Sequence, residues 1–208
     1  MKLFLMRLIQ AFESIKLNGF FSFLHEIVFF NRVAVVVEKN LTEFDVANKQ
    51  PENSPIQMVE LRPHMFTNKS ISYPEKNRYL KAVHYLKKGY GGFAILKDQQ
   101  IIGDIWFAPV ENKISSRHSD CKLLRINCAE NQVYTFDMFL TPGERGNNLA
   151  FFLQSSALRA LHQKGFTVAY GYYWGDNTPA LWVHRMGKWR EIQRLKVNRF
   201  LFFKKAFA

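Results

Sequence analysis

The chain has 208 residues, 48% of them hydrophobic, and a formal net charge of +12. That length allows one full domain plus an appendage, with enough apolar matter for a sizeable core. The positive balance favours an anionic partner, whether coenzyme phosphates, anionic lipid or nucleic acid, and does not choose among them.

The N-terminal 30 residues carry apolar side chains at helical spacing. Leu5, Leu8, Ile9, Phe12 and Ile15 form one stripe, and Phe20, Leu24, Ile27 and Val28 form a second after the Asn18-Gly19 break. Two amphipathic helices are expected. Their stripes need cover from the domain core, a second copy of the chain or a lipid surface. Arg7, Glu13 and Lys16 interrupt the run, which therefore reads neither as a signal-peptide core nor as a membrane span of about 20 apolar residues.

Val33 to Val37 lies in a β-branched run, Arg32 to Glu38, that predicts a buried strand. The polar, Pro-punctuated segment Ala47 to Pro55 is the best linker. It divides the chain into an extension, residues 1–50, and a main domain, residues 51–208. Within the latter, Ile56 to Leu61 predicts a first strand and Glu75 to Lys88 a helix. Gly89-Tyr90-Gly91-Gly92 lacks the Gly-Lys-Ser/Thr ending of a phosphate loop and reads as a turn. Phe93 to Leu96 and Gln100 to Ala108 predict a hairpin around Lys97-Asp98-Gln99. Residues 110–130 read as a long basic loop or as further short strands, one of them at Leu123 to Asn127. Cys121 and Cys128 match neither zinc nor thioredoxin spacing, so no metal is expected and a reducing cytoplasm is the simplest setting. His118-x-x-Cys121 reads as incidental rather than as a nucleophile with its base.

From Tyr134 the pattern becomes strand, tight basic turn, amphipathic helix, strand, helix. The strand Tyr134 to Leu140 runs into Thr141-Pro142-Gly143-Glu144-Arg145-Gly146-Asn147-Asn148. Leu149, Leu153, Ala157 and Leu161 then recur every four residues, with Gly165 as a stop, predicting a helix from Leu149 to Lys164. The turn places free backbone N–H groups and the Arg145 guanidinium at that helix's positive end, a ready anion site. Phe166 to Tyr173 predicts a buried strand. Thr178 to Met186 predicts a helix capped by Asn177, with Pro179 in its first turn. Glu191 to Lys196 and Arg199 to Lys204 predict a closing antiparallel pair.

Two motifs in this region resemble the GNAT superfamily of N-acetyltransferases. Arg145-Gly146-Asn147-Asn148-Leu149-Ala150 is similar to the family's pyrophosphate loop, Arg/Gln-x-x-Gly-x-Gly/Ala, with Asn148 in place of a Gly. Asn177, Ala180, His184 and Trp189 keep the spacing of a second signature, with His184 in the place of a Tyr. The resemblance covers roughly residues 56 to 208. It implies an α/β (α+β) fold with a mixed, mostly antiparallel central sheet flanked by helices, here preceded by the N-terminal amphipathic extension.

It also implies acetyl-CoA, or another acyl-CoA, as co-substrate. The backbone of Phe139 and Leu140 would pair with the pantetheine arm. Arg145, Gly146, Asn147, Asn148, Leu149 and Ala150 would hold the diphosphate, and Asn177 would contact the arm. His184 would act as the acid toward the departing thiolate, and Asp137 as the acceptor of the amine proton, with packing or hydrogen-bonding roles open for both. Glu130 and Asp104 are weaker candidates for the base.

The expected activity is acyl transfer, acetyl foremost, to a primary amine on a small molecule or peptide, by a cytoplasmic protein. A homodimer and peripheral membrane contact through residues 1–30 remain open as partners. The alternatives are a membrane-surface enzyme using longer acyl chains and a catalytically silent module that binds coenzyme or nucleic acid. For nucleic acid the sequence offers charge but no recognition motif.

Overall fold

The computed structural model describes residues 29–43, 56–110, 117–146, 148–200 and 203–207. Two helices are expected over residues 1–30; residues 1–28, the linker Ala47 to Pro55 and Asn147 lie outside the described residues, and Phe29 and Phe30 open a strand instead. The strands are β1 (Phe29–Asn40), β2 (Gln57–Glu60), β3 (Gly91–Lys97), β4 (Gln100–Ala108), β5 (Gln132–Leu140), β6 (Val168–Trp174), β7 (Arg190–Phe200) and β8 (Phe203–Phe207). The helices are α1 (Pro63–Thr67), α2 (Lys76–Lys87), α3 (Ser119–Leu123), α4 (Leu149–Gln163) and α5 (Thr178–Met186).

The strands form one sheet in the order β2-β3-β4-β5-β6-β1-β7-β8. Every neighbouring pair is antiparallel except β5 and β6, which are parallel. Helices α1 to α3 cover one face, where Leu61, Ile71, Ala82, Cys121 and Leu124 join a core with Trp106, Tyr134 and Phe136. Helices α4 and α5 cover the other face, where Leu149, Leu153, Leu158 and Leu161 pack on Val133, Leu140 and Ala169. The expected stripe on α4 is the one that is buried, because residues four apart share a helix face.

Strand β1 precedes the polar segment Ala47 to Pro55 in the chain. The sequence puts it in the extension, yet it lies between β6 and β7 in the sheet interior. Ala34 and Val36 join the core under α1 to α3, and Val35 and Val37 join the core under α4 and α5. An unbroken β-branched run suits a strand buried on both faces, and β1 is such a strand. The polar segment after it connects two parts of one sheet and does not mark where the fold starts.

Other differences are local. Helices α1 and α3 are each five residues long, too short to show a helical period. The strand considered at Leu123 to Asn127 is absent: α3 ends at Leu123, and a turn with irregular backbone follows; the His118 side chain caps α3 by accepting from the Asp120 N–H. The β3–β4 hairpin turns on Asp98 and Gln99, both with positive φ (51° and 62°), as a two-residue hairpin turn requires. The closing pair exists, but β7 runs on to Phe200 and pairs with Phe203–Phe207, several residues past the expected turn.

Candidate active site

The site begins where the sheet splits. β5 and β6 are in register at only three positions, Gln132↔Val168, Val133↔Ala169 and Tyr134↔Tyr170. The Thr135 hydroxyl then donates to the Tyr170 carbonyl at 2.9 Å, and the strands part. From there β5 follows β4 and β6 follows β1. Gly171 stands at the fork, where a Cβ would lie 3.2 Å from the Thr135 hydroxyl oxygen. Strand edges in the middle of a sheet cannot be left dry and unpaired. An extended ligand with amide groups can serve as the missing strand. Phe139 and Leu140 lie on the β5 side of this split, paired on their other edge with Asp104 and Gly103 of β4.

A β-bulge sits at the same place. Trp106 pairs with Phe136 and Asp104 with Phe139, so Asp137 and Met138 together oppose Ile105. Asp137 takes φ +50°, in the left-handed region. Its carboxylate receives Arg78 Nη1 at 3.1 Å on both oxygens, Lys81 Nζ at 2.8 Å and the Tyr85 hydroxyl at 3.0 Å. Burial opposes its ionisation, but Arg78 and Lys81 outweigh burial and hold the carboxyl below the usual range. A carboxylate with a lowered pKa and occupied oxygens is a weak proton acceptor.

Arg78 also pairs with Asp104, whose other oxygen accepts the Tyr73 hydroxyl at 2.6 Å. Asp104 is fully buried, and that burial outweighs Arg78 and Tyr73 and pushes its pKa up to about 6. Glu130, the other alternative base, is exposed in the loop before β5, at the end away from the split.

The described residues of the Thr141 to Asn148 segment form a tight turn ahead of α4. Pro142–Glu144 makes one 3-10 turn after Thr141, whose N–H donates to Ile102 O at 2.8 Å. Lys97 anchors the turn through Glu144 at 2.8 Å. Gly146 has φ +104° and Asn148 has φ +55°. Asn tolerates that left-handed conformation better than most side chains, which is why it can stand where the motif has Gly. Asn148 is the N-cap of α4 but makes no side-chain cap bond, and the first turn of α4 contains no acid. Leu149 is buried under the helix and Ala150 is half-buried beside it. Arg145 is exposed, and its Nε reaches back to Leu140 O at 3.4 Å.

Asn177 caps α5, its side chain accepting from the Ala180 N–H at 3.2 Å, at the end of β6 where the split opens. His184 lies further along α5. Its Nδ1 is 2.7 Å from Ala180 O, so this nitrogen donates and carries the proton. Its Nε2 lies 3.5 Å from the Gln154 amide, whose oxygen accepts the Trp189 indole N–H at 3.0 Å. Burial lowers the pKa of His184 below 6.5. The expected imidazolium acid is therefore a neutral ring at neutral pH, with its one N–H spent on backbone.

Sequence reading missed Arg78, Lys81, Tyr73 and Tyr85. The spacing of 78, 81 and 85 along one helix face was available, but nothing in the sequence said that the face meets a bulge 52 to 59 residues away. Burial pushes the Cys121 thiol up to about 12, and His118 Nδ1 is occupied as a helix cap. Among the described residues no group of His, Cys, Asp or Glu could hold a metal ion, and no helix is long and apolar enough to cross a membrane.

No protein-family model and no curated protein matches the sequence. Solved structures do match. The GCN5-related glucosamine N-acetyltransferase region of a fungal multi-domain GH3 beta-N-acetylglucosaminidase is 15% identical, with a TM-score of 0.57 over 90% of this chain and 23% of that one. A Drosophila protein is 12% identical, with a TM-score of 0.54 over 86% of this chain and 54% of that one. A GCN5-related N-acetyltransferase from Sphaerobacter thermophilus is 10% identical, with a TM-score of 0.53 over 89% of this chain and 55% of that one. The chain thus spans 23% to 55% of the length of these three solved chains. Its split sheet, with a donor-rich turn leading from β5 into α4, is the fold of the GCN5-related N-acetyltransferases.

Proposed function

We propose that this protein is an acyl-CoA-dependent N-acyltransferase, with acetyl-CoA as the first donor to consider and a primary amine as acceptor. One observation carries the reading: the β5–β6 split opens directly onto the uncapped N-terminus of α4. A diphosphate fits that turn, because the first-turn N–H groups and Arg145 supply donors and positive charge. The free backbone edges of β5 and β6 suit an amide-bearing arm, and the bulge at Asp137 and Met138 brings backbone beside the acyl carbonyl.

In the reaction the amine nitrogen forms a bond to the thioester carbonyl carbon, the carbon–sulfur bond breaks, and the amine proton leaves to solvent while the thiolate departs. Asp137 and His184 were the expected proton carriers. The occupied oxygens of Asp137 and the neutral ring of His184 support the structural roles instead, holding the bulge and bracing α5. The same two observations support a second reading, a module that binds acyl-CoA without turning it over.

The test is calorimetry with CoA, acetyl-CoA and a longer acyl-CoA, followed by thiol-release assays with glucosamine and a lysine peptide. Binding with amine-dependent thiol release supports the enzyme. Binding without release under any amine supports the module. No binding of any acyl-CoA would remove both.

A further inference from the structure

The face of α2 that carries residues 78, 81 and 85 is aimed at one carboxylate. These positions, three and seven apart, share a helix side, and all three side chains donate to Asp137. Lys81 remains partly exposed, but the Arg78 side chain is only 8% exposed and reaches in two directions. One arm holds Asp137 inside the bulge, and the other holds Asp104 on β4, the register partner of Phe139 just beyond the bulge. The guanidinium also lies over the Phe139 ring, 4.5 Å from its centroid. It therefore spans the stretch of β5 that must absorb one extra residue.

We propose that Arg78 is a positioning residue for acyl transfer: by tying Asp137 to Asp104 it fixes the β5 bulge and so aims the bulge backbone at the acyl carbonyl. The inference rests on the acyltransferase reading. Three arguments carry it. The left-handed φ of Asp137 is unfavourable for a residue with a side chain, and here the surroundings hold it. Loss of the bulge would shift the register by one and turn the following side chains of β5 to the other face, so the extra residue must be held in place. Finally, the cluster of Arg78, Lys81, Asp104 and Asp137 balances its charges and leaves Asp137 no oxygen free of a donor. Such a cluster is built to hold a shape and not to attract a ligand. Buried ion pairs add little net stability over apolar packing, so positional specificity accounts for this one better than stability does.

The test uses the full chain with acetyl-CoA labelled with 13C at the carbonyl. Calorimetry gives affinity, isotope-edited infrared spectroscopy gives the carbonyl stretch, and thiol release gives turnover. In the wild type the stretch should fall on binding as the carbonyl is polarised. Arg78→Lys keeps the charge and loses the fork. It should bind acetyl-CoA with unchanged affinity, return the stretch toward its free value and lower turnover on the order of 100-fold without raising KM. Asp104→Asn, which removes the charge on the far anchor, should move the stretch the same way. If Arg78→Lys does not fold, Asp104→Asn carries the test alone. Wild-type binding with no change in stretch, or a folded Arg78→Lys or Asp104→Asn protein with the wild-type stretch, would overturn the positioning role while leaving coenzyme binding intact. Failure of the wild type to bind acetyl-CoA would instead sink the acyltransferase reading itself.

Discussion

Two polar clusters flank the split between β5 and β6, and they are finished to different degrees. In the turn from Thr141 to Asn148, Arg145 is exposed with one long contact, and α4 opens with neither a capping side chain nor an acid. At the bulge the opposite holds: Asp137 is taken up by Arg78, Lys81 and Tyr85, and Asp104 by Arg78 and Tyr73. Donors left open by the protein are available to a ligand, whereas donors consumed by the protein hold its own shape. On the acyl-CoA reading proposed above, the contrast separates the surface that would bind from the frame that supports it, although both are rich in charge.

The largest expected effect bears on both clusters together. A chain starting at Gln50 lacks β1, on which β6 and β7 both pair, so the β6 wall of the split loses its support and β7 and β8 are cut off from the rest of the sheet. Circular dichroism should show it globally unfolded, and calorimetry should show no coenzyme binding. A folded, coenzyme-binding truncation would restore the residue 51 boundary that the sequence suggested.

Next in size is the frame. Arg78→Met leaves Asp104 buried without its cation and should cost about 3–5 kcal/mol in urea unfolding. Adding Asp104→Leu should recover much of that loss, because the orphaned charge goes too. If the single variant is as stable as the wild type, the cluster is not the frame.

The open cluster should behave differently. Arg145→Ala should weaken CoA binding by about 1.5–3 kcal/mol, the worth of one charge-assisted contact, and leave the thermal midpoint nearly unchanged. A large fall in the midpoint with unchanged affinity would exchange the roles of the two clusters.

The smallest effect is that of His184. Its folded pKa is lowered by burial, so below pH 6.5 the unfolded chain takes up a proton that the folded protein resists. Stability should therefore fall as pH drops through that window, by at most about 1.4 kcal/mol per pH unit. Thermal melts of His184→Phe at pH 5.5 and 7.5 should lack this component. Turnover in the variant should stay within about tenfold of wild type, since the ring has no spare proton to give. A loss of a hundredfold would return His184 to the role of acid.

Local chemistry explains which parts were legible in the sequence. The α4 stripe, the Asn177 cap, the Asp98-Gln99 hairpin and the Arg145 turn each depend on residues a few positions apart, and each formed near its expected place. Asn148 shows the same: its type predicted tolerance of an unusual φ, and φ is +55°. The roles expected for Asp137 and His184 came from their places in a motif, and a motif carries no information on what else touches a side chain. Both found partners from other elements, Arg78 from α2 and Gln154 from α4.

The sequence by itself determined the secondary elements that repeat on a helical or strand period, the tight turn ahead of α4 and the broad α/β class. These follow from short-range sterics and from the separation of apolar and polar faces. Only the tertiary structure decided that β1 belongs in the centre of the sheet, that β5 bulges at Asp137, and that Arg78 bridges two carboxylates 33 positions apart in sequence. Strand order and buried ion pairs depend on contacts between residues far apart along the chain, and no local periodicity encodes them.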